Sequence, residues 1–538
     1  MDVRIERVVI LGSGQIAWTA AAYLQKELQG TVSVTVLENP DDPPEAGIGT
    51  ALPSFQRSFF DVLGIEEQEW MRASSATFKA ADRYVNWRTA GPGRTTPWEL
   101  PDARPDAFYH PFGLLPEYDR APLSHYWQHR RQRGETTEPF DYACFREPPL
   151  LDARRSPRWL DGRSATRYGW HFDRREFTAH LRRHAVAAGG VRQVRGRLAR
   201  VERDEQGDLA ALVTEHGERI PGQLFLDCSG PRRRLIGDLL GEPFLGLGEQ
   251  LPCDRAVSVA VPAPDSRRRG IEPHSTLLAM PAGQVAVHPV LGRLGAAYAY
   301  GSDHTTPEEA AAELCRLWGL DPGHTEVHHQ EHGPGRTRRS WRRNCVALGA
   351  AAGVLDPAGP DCPHLAVRAL QLLVAHFPAG PLPPVLPERY NRAVDRAFDE
   401  ARDFLQLRYG CSPRDDTPFW RATGRLALSE AVRTRIAVYR AGLPCGSALV
   451  EEARYYGYRA EEPLSPWTDA DHYCVLAGLA PAPVGPSPVL AHRPESVRGA
   501  GTLFEQVRRQ QRNLLETLPS AYDYLSRLHG RGADELVV

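Results

Sequence analysis

Lysine is almost absent from this chain. Lysine and arginine together number 65 of 538 residues, and only Lys26 and Lys79 are lysines. Wherever a plain positive charge suffices, the chain uses arginine, so a lysine that survives does so either by chance or because an ammonium differs there from a guanidinium. An ammonium is a compact point donor that can lose its proton; a guanidinium is not. Lys79 lies in Ala-Thr-Phe-Lys-Ala-Ala (76–81), which runs on to Tyr84-Val85-Asn86-Trp87. It is the first residue to suspect of chemistry. A second chemical pattern opens the chain: Gly12-Ser13-Gly14-Gln15-Ile16-Ala17, a G-x-G-x-x-A sequence, with Glu38 ending the next apolar run. Gly12 permits a tight turn, Gly14 lets backbone N–H groups approach a pyrophosphate at a helix N-terminus, and Glu38 can accept from ribose hydroxyls.

The elements that must position these groups are legible as a Rossmann order. Residues 7–11 read as a buried strand, 17 to about 28 as a helix, and 32–37 as the next strand. Farther on, residues 222–230 form an apolar strand ending in Asp227-Cys228-Ser229-Gly230, after a β-meander over 201–213 and 218–220. That is the usual second FAD contact of flavoprotein monooxygenases, so the dinucleotide is expected to be FAD. Residues 343–353 read as a strand followed by small residues, where the chain can run close to a pyrophosphate or isoalloxazine. A helix predicted from near His364 would turn its N–H groups to the flavin pyrimidine edge. Residues 395–408 and 501–528 carry apolar residues at helical spacing. The expected fold is α/β, with an FAD-binding region over 1–383 and a mostly helical, substrate-covering region over 384–538.

Composition narrows the rest. With 25% charged and 42% hydrophobic residues the chain is globular, and a net charge of −2 supports neither nucleic-acid binding nor a polybasic membrane anchor. No apolar run approaches the roughly 18 residues of a membrane span, and the first apolar stretch runs into glycines as a strand does, not as a signal peptide does. Nine cysteines without a C-x-x-C pair indicate neither a zinc site nor a disulfide framework, so no metal is expected and a reducing cytoplasm fits best.

These pieces, in this order, resemble the flavin-dependent tryptophan halogenase family from about Val8 to Gly478. The resemblance rests on Gly12–Trp18, Ala76-Thr77-Phe78-Lys79, Phe108-Tyr109-His110-Pro111-Phe112-Gly113, Trp170-His171-Phe172-Asp173, Leu226–Gly230, Arg402-Asp403-Phe404 and residues 414–421. It implies a two-component enzyme. A separate reductase supplies reduced FAD, which reacts with O2 to a flavin hydroperoxide; halide attacks this to give hypohalous acid, which reaches the family's lysine, here Lys79, beside the substrate. The FAD contacts implied are Gly12, Ser13, Gly14, Ile16, Ala17, Glu38, Gly49, Ser229, Leu348, Gly353, Asp356, Pro357 and Cys362. Phe112, Tyr455, Tyr456, Glu461 and Trp467 are the residues to grip an indole and its ammonium. A homodimer is a candidate assembly.

The chain departs from the family in its catalytic motifs. The W-x-W-x-I-P motif falls on Gln284-Val285-Ala286-Val287-His288-Pro289, and the E-P-L-E-S-T-G turn on residues 356–362, which puts Gly359 where the family has its catalytic glutamate. The amides that hold chloride fall on Asp361 and Cys362, and a carboxylate there repels a halide. The leading expectation is therefore hydroxylation of an electron-rich ring (tryptophan-like, free or carried on a peptide or carrier) through the flavin hydroperoxide. Lys79, His288 and Asp361 would be its acid/base groups. The alternative is halogenation of the same ring through Lys79 with chloride or bromide; the third reading is an inactive flavin-binding scaffold.

Overall fold

Val8 to Leu11 carry no polar residue, the pattern of a strand covered on both faces. They lie in β1 (Arg7–Leu11), which turns at Gly12 into α1 (Gln15–Glu27) and returns as β2 (Ser33–Glu38). The structure is a computed structural model and describes residues 4–530 apart from 43–44, 46, 91–105, 263–265, 332, 359–360, 379, 381, 444–466 and 486. Gly12 has φ +153°, and a Cβ on it would lie 2.4 Å from the Cys228 carbonyl oxygen, so only glycine lets the turn pass the neighbouring strand.

That neighbour, Leu224–Asp227, belongs to a six-stranded sheet in the order Val191–Arg195, β2, β1, Leu224–Asp227, Cys345–Ala347 and Trp341–Arg342. All pairings are parallel except the last. The three segments read from sequence as FAD contacts thus end together, at the C-terminal edge of adjacent parallel strands, where open α/β sheets take their ligands.

The chain continues through β3 (Ile48–Ala51), β4 (Thr77–Lys79), β5 (Ala81–Val85) and β6 (Ala107–Pro111). β3 and β4 flank Gly169–Asp173 in a three-stranded sheet, whereas β5 and β6 edge a seven-stranded sheet next to Ser275–Met280 and Gly283–Val290. The chain changes sheets at Ala80, whose N–H donates to Pro273 at 2.7 Å and whose carbonyl accepts from Phe112 N–H at 2.9 Å. Residues three apart on an unbroken strand face opposite sides. The break at Ala80 brings Lys79 and Asp82 together instead.

Beyond Val354 the described residues form helices and no strand. The first helix, Asp361–Ala375, begins three residues before the predicted His364, because Pro363 falls in the first turn, where its missing N–H has no intrahelical partner. The helix predicted from 395 starts at Val385 and runs to Gly410. The single helix predicted over 501–528 is two, Gly501–Thr517 and Ala521–His529. Pro519 cannot donate to the first, and the Ser520 hydroxyl caps the second by accepting from Asp523 N–H at 3.0 Å. These helices have no core of their own: Leu407, Trp420 and Tyr473 pack with Tyr84, Trp87 and Phe108, and Tyr524 and Leu525 join the cluster around Trp70. Among the described residues, no helix is long and apolar enough to cross a membrane.

Candidate active site

β4 ends at Lys79, whose side chain is 1% exposed. Its Nζ lies 2.9 Å from Asp82 Oδ1 and 5.3 Å from the centre of the Phe112 ring. Both residues line a cavity of about 400 Å³, together with His110, His364, Phe404, Arg408, Trp467 and Asp471. That volume is in the range of small-molecule clefts. Phe404 and Trp467 stack at 5.0 Å between ring centres, and His110 Nε2 meets Asp471 Oδ1 at 2.7 Å. Flat aromatic walls suit a planar ring, and the polar groups suit the fixing of its orientation.

The charges are set by neighbours. Burial pushes the Asp82 carboxyl up, but the Lys79 ammonium, then His110 and Arg408, pull it back, and the net shift is downward. Asp82 is therefore a carboxylate at neutral pH. Asp471 is likewise raised by burial and lowered by His110 and Thr468, ending below its usual range. Burial, then Arg368, pushes His364 down to about 4.

Behind Lys79 lies a second polar group that does not reach the cavity. Ser275 Oγ sits 3.0 Å from His288 Nδ1 and 2.9 Å from His171 Nε2. Burial and then Lys79 push His288 down to about 3. His288, expected beside an opened wall, is thus a buried neutral ring held by a serine. Gln284, at the first lost tryptophan, donates to Asp356 Oδ2 at 2.8 Å and accepts from Arg408 at 3.2 Å. The lost wall has become a polar bridge from the cavity to the 356–358 turn. Burial raises Asp356 against the pull of Arg408.

The nucleotide side fits FAD. α1 follows Gly14, which offers no side-chain cap, and has no acid in its first turn, so its N–H groups are open to a phosphate. The Gln15 amide is fully buried with neither polar atom bonded among the described residues, the kind of orphan that a bound polar group satisfies. Glu45, near Gly14, is held by Arg174 and Thr178. Ser13 Oγ donates to Asp42 at 2.9 Å, and Ser229 Oγ donates to Asp227 at 2.6 Å, so both hydroxyls shape their turns. Glu38 ends β2 as expected, but its oxygens already accept from Trp18 Nε1, at 2.7 Å, and from Gln193. Ile16 and Ala17 are in the first turn of α1, Gly49 in β3, and Leu348 N–H bonds the Asp227 carbonyl at 3.0 Å. Gly353 comes next in a short strand, and Pro357 is buried in the turn after it. Asp361 and Cys362 open the helix Asp361–Ala375. Tyr455, Tyr456 and Glu461 lie outside the described residues.

Residues 7–495 match the tryptophan halogenase family. The chain belongs to that family. It is 45% identical to tryptophan 6-halogenase ThaL of Streptomyces albogriseolus, over 98% of this chain and all of the relative. It is 44% identical to tryptophan 7-halogenase RebH of Lentzea aerocolonigenes, over 99% of this chain and all of the relative. The crystal structure of tryptophan 6-halogenase SttH from Streptomyces toxytricini superposes with a TM-score of 0.85 at 33% identity, covering 97% of this chain and 99% of that one. As a member of the family the chain is a flavin-dependent oxidoreductase, and FAD is its cofactor. These three relatives are named for halogenating tryptophan, which favours halogenation over the hydroxylation that the altered motifs put first.

Sequence reading singled out Lys79, Phe112 and Trp467, and the structure places all three on one cavity. It missed Asp82 and Arg408. His110 and Phe404 stood in motifs already noted, but nothing in a linear reading showed that they face Lys79.

Proposed function

We propose that this protein uses reduced FAD, O2 and a halide to halogenate the ring of tryptophan or a closely related indole. The observation that carries this reading is Lys79: a buried ammonium at the wall of an aromatic cavity, beside the Phe112 ring and in one cavity with the Phe404–Trp467 stack. Reduced FAD, delivered by a separate flavin reductase, supplies with O2 the oxidising equivalents that convert halide to hypohalous acid. The turns at Gly12–Ala17 and at Ser229, with the segments at Leu348–Gly353 and Asp356–Pro357, hold that cofactor. Phe112 and Trp467 hold the indole in one plane. Lys79 donates a hydrogen bond to the hypohalous oxygen, draws electron density from the halogen and fixes which ring carbon it meets.

The test is mass spectrometry of tryptophan incubated with the enzyme, a flavin reductase, FAD, NADH and O2, with and without bromide. The expected product shows the bromine isotope doublet only when bromide is present, and loses it in Lys79→Ala while FAD binding is retained. A product that gains one oxygen regardless of bromide would overturn the reading.

A further inference from the structure

The ring proton must leave to an acceptor, and the residue that the family resemblance assigns to this task is Gly359, which has no side chain. We infer that Asp82 takes its place, forming with Lys79 a self-resetting acid–base pair; this rests on the reading that the cavity substitutes an aromatic ring. Asp82 lines the cavity, keeps 18% of its side chain exposed, and stands 2.9 Å from Lys79 Nζ. Glu117, Asp469 and Asp471 also line the cavity, and Asp471 already accepts from His110, at 2.7 Å, and from the Thr468 hydroxyl, also at 2.7 Å.

The protons balance through this pair. The ring π electrons attack the halogen of hypohalous acid and the halogen–oxygen bond breaks, its electron pair leaving on oxygen. The Lys79 ammonium protonates that oxygen to water. The ring C–H bond then breaks; its electrons restore aromaticity and its proton goes to the Asp82 carboxylate. Asp82 returns that proton across the ion pair to the Lys79 amine, so both groups end as they began. The sum is ring C–H plus hypohalous acid giving ring C–halogen plus water.

The same ring proton is lost whether halogen or oxygen is added, so the test does not depend on which the enzyme adds. Asp82→Asn keeps the side chain's shape and should lower the turnover rate by on the order of 100-fold, with FAD binding near the wild-type value. A ring-deuterated substrate separates a chemical from a structural role: the isotope effect, near unity in the wild type, should rise well above unity in Asp82→Asn. Added formate should restore part of the rate to Asp82→Ala. An Asp82→Asn enzyme with unchanged rate and isotope effect would overturn the assignment of Asp82 while leaving the reaction itself standing. A wild-type enzyme that makes no ring-substituted product would sink both.

Discussion

At the scale of single residues, the site turns on the difference between two cations. Arginine at position 79 would keep the charge and its attraction to Asp82, but it would spread that charge over a planar fork and could not give up a proton. Fitting the larger group into a side-chain site that is 1% exposed also strains the packing. Lys79→Arg should therefore be as inactive as Lys79→Ala, with product formation down by roughly 100-fold or more, even though the pocket's net charge is unchanged. Chromatographic rate measurement, with flavin binding as the control, checks this. A half-active Lys79→Arg would mean that position 79 needs only a positive charge. Lys79 was legible in the sequence because lysine is so rare in it. Asp82 was not: it is one aspartate among many, and in a regular strand it would face away from Lys79.

At the scale of elements, the strand Leu224–Asp227 does more than pair. Asp227 is fully buried, and its carboxylate accepts from Ser229 N–H and Oγ and from Leu235 and Ile236 N–H, the last two at 2.8 Å each. It ties the glycine turn to the next helical segment. Asp227→Ala leaves these donors buried without an acceptor, at about 1–3 kcal/mol for each one that water cannot reach. A marked fall in the urea midpoint, with weakened FAD binding, is the expected result; an unchanged midpoint would show that these bonds are replaced at no cost. Such strand and turn units were legible because their signals are local: an apolar run, a glycine, a helix after it. The switch of sheets at Ala80 was not, since only the partners, Gly169–Asp173 and then Ser275–Met280, divide Thr77–Lys79 from Ala81–Val85. The split at Pro519 is masked in the sequence by the helical spacing of apolar residues on either side of it.

At the scale of the whole molecule, buried histidines set the response to acid. Burial pushes His125 down to about 4, His288 to about 3 and His472 to about 4, and each is less than 9% exposed. Their unfolded values lie near 6.5, so below that pH the unfolded chain takes up protons that the folded chain refuses. Stability then falls by up to about 1.4 kcal/mol per pH unit for each. Burial pushes Asp141 up to about 6, which has the opposite sign and adds stability as pH falls from about 6 toward its unfolded value. His171, His274 and His364 are also pushed down, and Glu147 and Asp356 pushed up; the histidines are the more numerous, and the melting temperature should drop between pH 7 and pH 5. A flat or rising profile would show that these rings are solvated in the native state.

The near-absence of lysine has one more consequence. Lys26, in the last turn of α1, is exposed, whereas Lys79 is sealed in the cavity wall. An acylating reagent thus meets Lys26 at once and Lys79 only by way of the cavity. The mass added at the one lysine, set against the other, measures how freely the pocket admits a small molecule, and a bound indole should lower it.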